Sequence, residues 1–156
     1  MDLRLDGKRA LVTGASKGIG RAIAETLAAE GCSVDIASRS LEGLDRAAAE
    51  ISAAVSGAEI RAHAGDLSSS EDQNALFEAC RDADILVNNA GAAAAGSLEE
   101  TDEVGWRNSW DLKVFGYINL SRVFYTAMKE RAEGVIVNVI GYAGERLNSR
   151  YIIGTT

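Results

Sequence analysis

The chain has 156 residues, 47% hydrophobic and 25% charged, with a formal net charge of −7. That length suits one soluble domain with a real core and not two, and the acidic balance argues against a nucleic-acid partner, whose phosphates need a basic surface. No apolar run approaches a bilayer-crossing length, the polar start Met1-Asp2-Leu3-Arg4 does not read as a signal peptide, and Cys32 and Cys80 are too few for a disulfide framework or a metal site, so reduced thiols in a cytoplasmic protein are expected.

Taken in order, apolar strand-like runs alternate with helical periods, the pattern of a parallel sheet flanked by helices. Residues 8–13 predict a strand, and 18–30 a helix with Ile19, Ile23 and Leu27 on one face, ended by Gly31. Residues 33–38 predict a second strand, after which Ser40 caps a helix carrying Leu44, Ala47, Ile51 and Val55 inward. A third strand over 59–64 is followed by Ser70 and Gln73 in a capping-box pattern before Leu76 and Phe77. A fourth strand spans 84–87, and Ser97 with Glu100 opens a long helical stretch reaching about Glu130. Trp106, Trp110, Val114 and Ile118 recur every four residues along it, as a core or subunit-contact stripe. Residues 135–140 predict the fifth strand; 92–95 read as a small-residue loop, and His63 as a strand residue near the sheet edge, neither catalyst nor ligand. There is no internal repeat and no linker, so residues 1–156 read as one domain of doubly wound, three-layer αβα Rossmann type.

The segment Thr13-Gly14-Ala15-Ser16-Lys17-Gly18-Ile19-Gly20 lies between the first strand and its helix. Glycine permits a sharp turn and close backbone approach to a pyrophosphate, and the helix start offers free N–H donors. Its Gly-x-x-x-Gly-x-Gly spacing resembles the short-chain dehydrogenase/reductase family. Asp66-Leu67 after the third strand, Asn88-Asn89-Ala90-Gly91 after the fourth and Asn138 at the end of the fifth match the same family over nearly the whole chain. The resemblance implies an oxidoreductase moving hydride between a nicotinamide cofactor and a small carbonyl/alcohol substrate, with Asp66 beside the adenine and Asn88 to Gly91 near the nicotinamide ribose. Gly14, Ser16, Lys17, Gly18, Ile19, Gly20, Ser38, Arg39, Leu67 and Ala90 complete the expected cofactor contacts. An acid at the end of the second strand would favour NAD(H) by bonding the ribose 2′-OH; here Ser38-Arg39-Ser40 and Lys17 offer cations and no carboxylate until Glu42, so NADP(H) is expected over NAD(H), which stays possible.

The resemblance breaks at the chemistry. The family's Asn, Ser, Tyr and Lys fall, by anchoring on Gly116, Asn138 and Gly144, at Lys113, Gly141, Gly154 and a position beyond Thr156. A glycine has no side-chain proton to exchange. Two readings remain: a non-catalytic NADP(H)-binding or scaffold protein, or a relocated site in which Lys113 supplies the cation and Tyr151 or Tyr142 the phenol. Tyr151 precedes the family position by three residues, one turn on the same helix face. By resemblance the chain also stops before the family's last strands, as a fragment of a longer domain would, and the intact protein is expected to be a homodimer or homotetramer with no membrane partner.

Overall fold

The computed structural model describes residues 3–91, 95–142, 145 and 148–155. Ala10, Leu11 and Val12 of β1 (Arg9–Thr13) are each 0% exposed, as a strand covered on both faces must be. The chain then alternates through α1 (Gly18–Ala29), β2 (Ser33–Ser38), α2 (Leu41–Ala54), β3 (Ile60–Ala64), α3 (Ser70–Cys80) and β4 (Ile85–Asn88). The remainder runs through α4 (Glu103–Trp110), a π turn (Asp111–Phe115), α5 (Gly116–Glu130), β5 (Val135–Asn138) and a single helical turn α6 (Ile152–Thr155). All pairings are parallel, in the order β3-β2-β1-β4-β5, with Ala10 opposite both Val34 and Ile85.

Alternate residues of the strands feed two cores. Val12, Val34, Ile36 and Val87 pack with Ala24, Leu44 and Ile51 of α1 and α2. Leu11, Ala37 and Leu86 pack on the opposite face with Leu76, Leu120 and Phe124 of α3 and α5. The Phe124 ring meets Phe77 edge-to-face at 5.2 Å, an arrangement that contributes about 1 kcal/mol beyond its buried area. The result is a doubly wound three-layer sandwich. Because β2 and β4 flank β1 on opposite sides, the strand order reverses at β1, and the crevice at the carboxyl ends of β1 and β4 is where such folds hold ligands.

Several local expectations are corrected. Ile19 is 66% exposed; the buried face of α1 is Gly20, Ala24 and Ala28, because the helix lies so close to the turns that a Cβ at Gly20 would come within 2.5 Å of the Gly14 carbonyl oxygen and Asn89 Nδ2. Ser69, not Ser70, caps α3 by accepting from Asp72 N, while the Gln73 amide is buried and donates to the Leu67 carbonyl at 2.8 Å. Ser97 and Glu100 do bond each other's backbone N–H groups, at 3.3 and 2.9 Å, but the box closes only a turn, and α4 starts later at its own cap, Asp102. The long helix is interrupted by the π turn, and its buried stripe is Gly116, Leu120, Phe124 and Met128. Trp110, Val114 and Ile118 are 39–47% exposed, which removes the core reading of the tryptophan stripe. Val55 sits half-buried at the end of α2. β5 ends at Asn138. The loop 92–95 and Gly144 fall wholly or mainly outside the described residues.

Candidate active site at the strand switch point

Thr13 joins the two sides of the crevice. Its Oγ1, almost fully buried, accepts from Asn89 N at 2.9 Å and Ala90 N at 3.0 Å and donates to the Val87 carbonyl at 3.3 Å. Asn89 answers by donating its amide to the Thr13 and Gly14 carbonyls. Gly14, with φ +66°, lies so close that a Cβ there would stand 2.8 Å from Ala90 Cα. Gly18, φ +61°, differs: a Cβ there would meet nothing within 4 Å. It faces the open space before α1, where backbone N–H groups of a helix start attract an anion. Ile19 shares that exposed edge, and Gly20 lies behind it on the buried face.

From these turns a cleft of about 300 Å³ extends across the ends of β2 and β4, lined by Ser16, Lys17, Ser38, Arg39, Leu67 and Gly91 among others. Lys17 and Arg39 are exposed cations on its rim, and no carboxylate lines it among the described residues. The Ser38 hydroxyl is buried there without a hydrogen-bond partner, a state that costs stability unless a ligand satisfies it. Asp66 stands near Arg39; bonds from Ser68 N and Oγ to its Oδ1, at 3.0 and 2.8 Å, together with the charge of Arg39, hold its carboxyl below the ordinary value. The orphaned hydroxyl, the two cations and the clear space before Gly18 fit the phosphates and ribose of a dinucleotide. Asn88 is placed differently from its neighbours: fully buried, its amide donates to Ser121 Oγ at 3.0 Å and Asn138 Oδ1 at 2.9 Å, beneath the cleft and not in it.

At the β4 end, Lys113 in the π turn is half-buried, and its stem packs on Gly91, where a Cβ would come within 3.2 Å of Cδ. It pairs with neither Asp111 nor Glu103; Glu103 is taken by Arg107 at 2.7 Å. Tyr151 precedes α6 and bridges Gly96, and a Cβ at Gly154 would fall on the Tyr151 ring. Gly141 and Tyr142 are both exposed, Tyr142 at 62%. Leu112, Gly65 and Ser40 also line the cleft. Leu112 and Gly65 were not singled out from the sequence, where Ser40 was read as a helix cap and Asn89 only as part of the turn Asn88 to Gly91.

A second polar cluster lies below β2 and β3. Asp35, fully buried, accepts from Arg9 Nε at 2.7 Å and lies 2.6 Å from His63 Nε2, with Cys80 Sγ 3.6 Å from the same ring nitrogen. Burial pushes the Asp35 carboxyl up, but the bonds and charges of His63 and Arg9 outweigh it and hold the group at about 2. Burial and the Asp35 charge push the Cys80 thiol up to about 12. The three donor atoms lie within 4.8 Å of one another, yet Arg9 bonds both Asp35 oxygens, so a neutralised carboxylate and a reluctant thiol do not suit a cation. Among the described residues no helix is long and apolar enough to cross a membrane.

The profile of the short chain dehydrogenase family matches residues 8–153. Galactitol 2-dehydrogenase (L-tagatose-forming) of Cereibacter sphaeroides is 41% identical over 145 residues, covering 93% of this chain and 57% of its own length. L-sorbose reductase of Gluconobacter frateurii, solved with NADPH and L-sorbose, superposes with a TM-score of 0.90 at 33% identity over 99% of this chain and 60% of its own. A 7α-hydroxysteroid dehydrogenase solved with NADH and 7-oxo glycochenodeoxycholic acid gives 0.89 at 31% identity, covering 99% and 62%. The chain thus spans about six-tenths of the length of these relatives, and with the glycine turn, the switch-point crevice and this span of similarity it belongs to the short-chain dehydrogenase/reductase family.

Proposed function

We propose that the protein is an NADP(H)-dependent oxidoreductase acting on a small carbonyl/alcohol pair. The observation that carries the cofactor choice is the β2 end of the cleft: Arg39 and Lys17 on the rim, the unpartnered Ser38 hydroxyl within, and no lining carboxylate. Two cations favour a 2′-phosphate, and the missing acid removes the acceptor that a free 2′-OH would use. When bound, the nicotinamide supplies or accepts the hydride. The chain's own residues orient it: the Thr13–Asn89 bonds fix the two turns in register, and α1 presents its N–H groups to the pyrophosphate.

Tyr151 supplies the phenol that exchanges a proton with the substrate oxygen. Its ring fills the space a side chain at position 154 would start from, which supports the relocated site over the scaffold alternative; Tyr142 lies in the exposed stretch after β5 and is the weaker candidate. The exposed Trp110, Val114, Phe115 and Ile118 support a homodimer or homotetramer through the α4–α5 face. The names of two relatives make sugar alcohols and ketoses the first substrates to try.

Fluorescence titration of the full-length protein with NADPH and NADH tests the cofactor reading. NADPH is expected to bind more tightly, and Arg39→Ala to weaken NADPH about tenfold with little change for NADH; tighter NADH binding overturns the assignment. Oxidation of galactitol with NADP+ and reduction of L-sorbose with NADPH test the chemistry, with Tyr151→Phe lowering turnover by about two orders of magnitude. NADPH binding without turnover on carbonyl/alcohol panels favours the scaffold alternative, and a monomer by light scattering at micromolar concentration refutes the assembly.

A further inference from the structure

We infer that the π turn Asp111–Phe115 is a device that aims Lys113 at the nicotinamide end of the cleft, where its ammonium donates to the reacting oxygen of the substrate. The inference rests on the NADP(H) reading above.

Three independent features lead to it. A π turn inside a long helix replaces i→i−4 bonds by wider ones, here Gly116 N to Asp111 O, and shifts the side chains after Trp110 around the axis. Of the turn's residues only half-buried Leu112 packs on the core, and none is fully buried. Next, Lys113 is half-buried yet forms no hydrogen bond or ion pair among the described residues. A lysine held half-buried against its neighbours with no acceptor for its ammonium among the described residues leaves that charge available to a ligand. Finally, both walls beside it are prepared. Gly91 leaves room for the stem, with its missing Cβ 3.4 Å from Nζ. On the other side the Tyr117 ring, 6.0 Å from Nζ, is fixed by its hydroxyl donating to the Val139 carbonyl at 3.2 Å.

Position decides what the cation would meet. Arg39 and Ser38 mark the 2′-phosphate end of the cleft at β2, and Gly91 closes the far end at β4. A dinucleotide laid across β1 with its phosphates on α1 puts its nicotinamide half at β4. The oxygen of a carbonyl accepting hydride there gains negative charge, and a fixed ammonium in a water-poor cleft stabilises that charge more than the neutral ground state.

The test uses the full-length protein with its lysines reductively methylated with 13C-formaldehyde. The Lys113 resonance is assigned by its loss in Lys113→Arg, a substitution that keeps the charge and the fold. NADP+ is expected to move this resonance, whereas 2′,5′-ADP, which fills only the β2 end, leaves it in place. A resonance unmoved by NADP+ while NADPH still binds by fluorescence overturns the inference alone. Movement by 2′,5′-ADP alone also overturns it. Failure to bind NADP(H) at all refutes the cofactor reading itself and this inference with it. In turnover, Lys113→Met is expected to lower kcat by about 100-fold with NADPH affinity within about twofold; an unchanged kcat, or an equal loss of NADPH affinity, contradicts the role.

Discussion

β1 and β5 are written in the same apolar alphabet, Arg-Ala-Leu-Val-Thr against Val-Ile-Val-Asn, yet their surroundings are opposite. Every residue of β1 after Arg9 is buried, flanked by β2 and β4 and covered by helices on both faces. Among the described residues β5 pairs with β4 alone; Val135 and Val137 are 54% and 43% exposed, and Ile140 beyond it 77%. The contrast extends to the crevice. The β1 side of the crevice is closed by reciprocal hydrogen bonds among Thr13, Asn89 and Ala90, whereas on the β5 side Gly141 and Tyr142 are solvent-exposed. The turns beside β1 are thus held in register by buried bonds, and the strand at the sheet edge is the more solvent-exposed wall.

The largest effect that would sharpen this comparison is Gly14→Val. A side chain there meets Ala90 Cα at 2.8 Å and must adopt φ +66°, so a stability loss of about 2–5 kcal/mol by urea denaturation is expected, together with loss of NADPH binding. A variant of normal stability would show that the two turns are not locked together.

The buried Asp35 cluster gives the next effect. Its folded carboxyl, at about 2, lies below the ordinary 3.8, so it binds protons less readily folded than unfolded. The stability it contributes is present above the unfolded value and lost as pH falls through that value toward about 2, on the order of 2 kcal/mol. Urea midpoints of the wild type should therefore fall between pH about 5 and about 2. Asp35→Asn should be destabilised at neutral pH, by roughly 1–3 kcal/mol for the charge-assisted bonds lost to Arg9 and His63 while Arg9 keeps Asp82 and the Ala79 carbonyl, and show a flatter acid dependence. An equally steep acid loss in Asp35→Asn would assign the effect to other carboxylates.

The smallest effect tests the exposed strand. Val137→Ala should cost less than about 1 kcal/mol, against about 2–5 kcal/mol for Ile36→Ala, which is 0% exposed on β2. Equal costs in the full-length protein would break the comparison, since they would mean that β5 is covered there as thoroughly as β2.

The positions of the five strands, the Ser40 cap and the glycine turn were legible because they rest on neighbouring residues: apolar runs, a hydroxyl three residues from an N–H, a fixed Gly spacing. The family could be read for the same reason, as its cofactor turn is contiguous. Misjudgements arose wherever a distant contact decided. Ile19 is outside because Gly20 must press on Gly14 and Asn89; the Ser97–Glu100 box closes a turn and no helix; and the tryptophan stripe is turned off the core beside a π turn that no periodicity announces.

The sequence by itself determined the doubly wound architecture, the glycine turn and the cations that border it, because local periodicity and backbone permissiveness are properties of short segments. Tertiary structure alone decided which of the adjacent Asn88 and Asn89 braces the cleft, that the Tyr151 ring covers Gly154, and that Lys113 lies against Gly91 without an acceptor. Each of those facts depends on residues far apart in the chain arriving within a few ångströms, and on the space that a missing Cβ leaves between them.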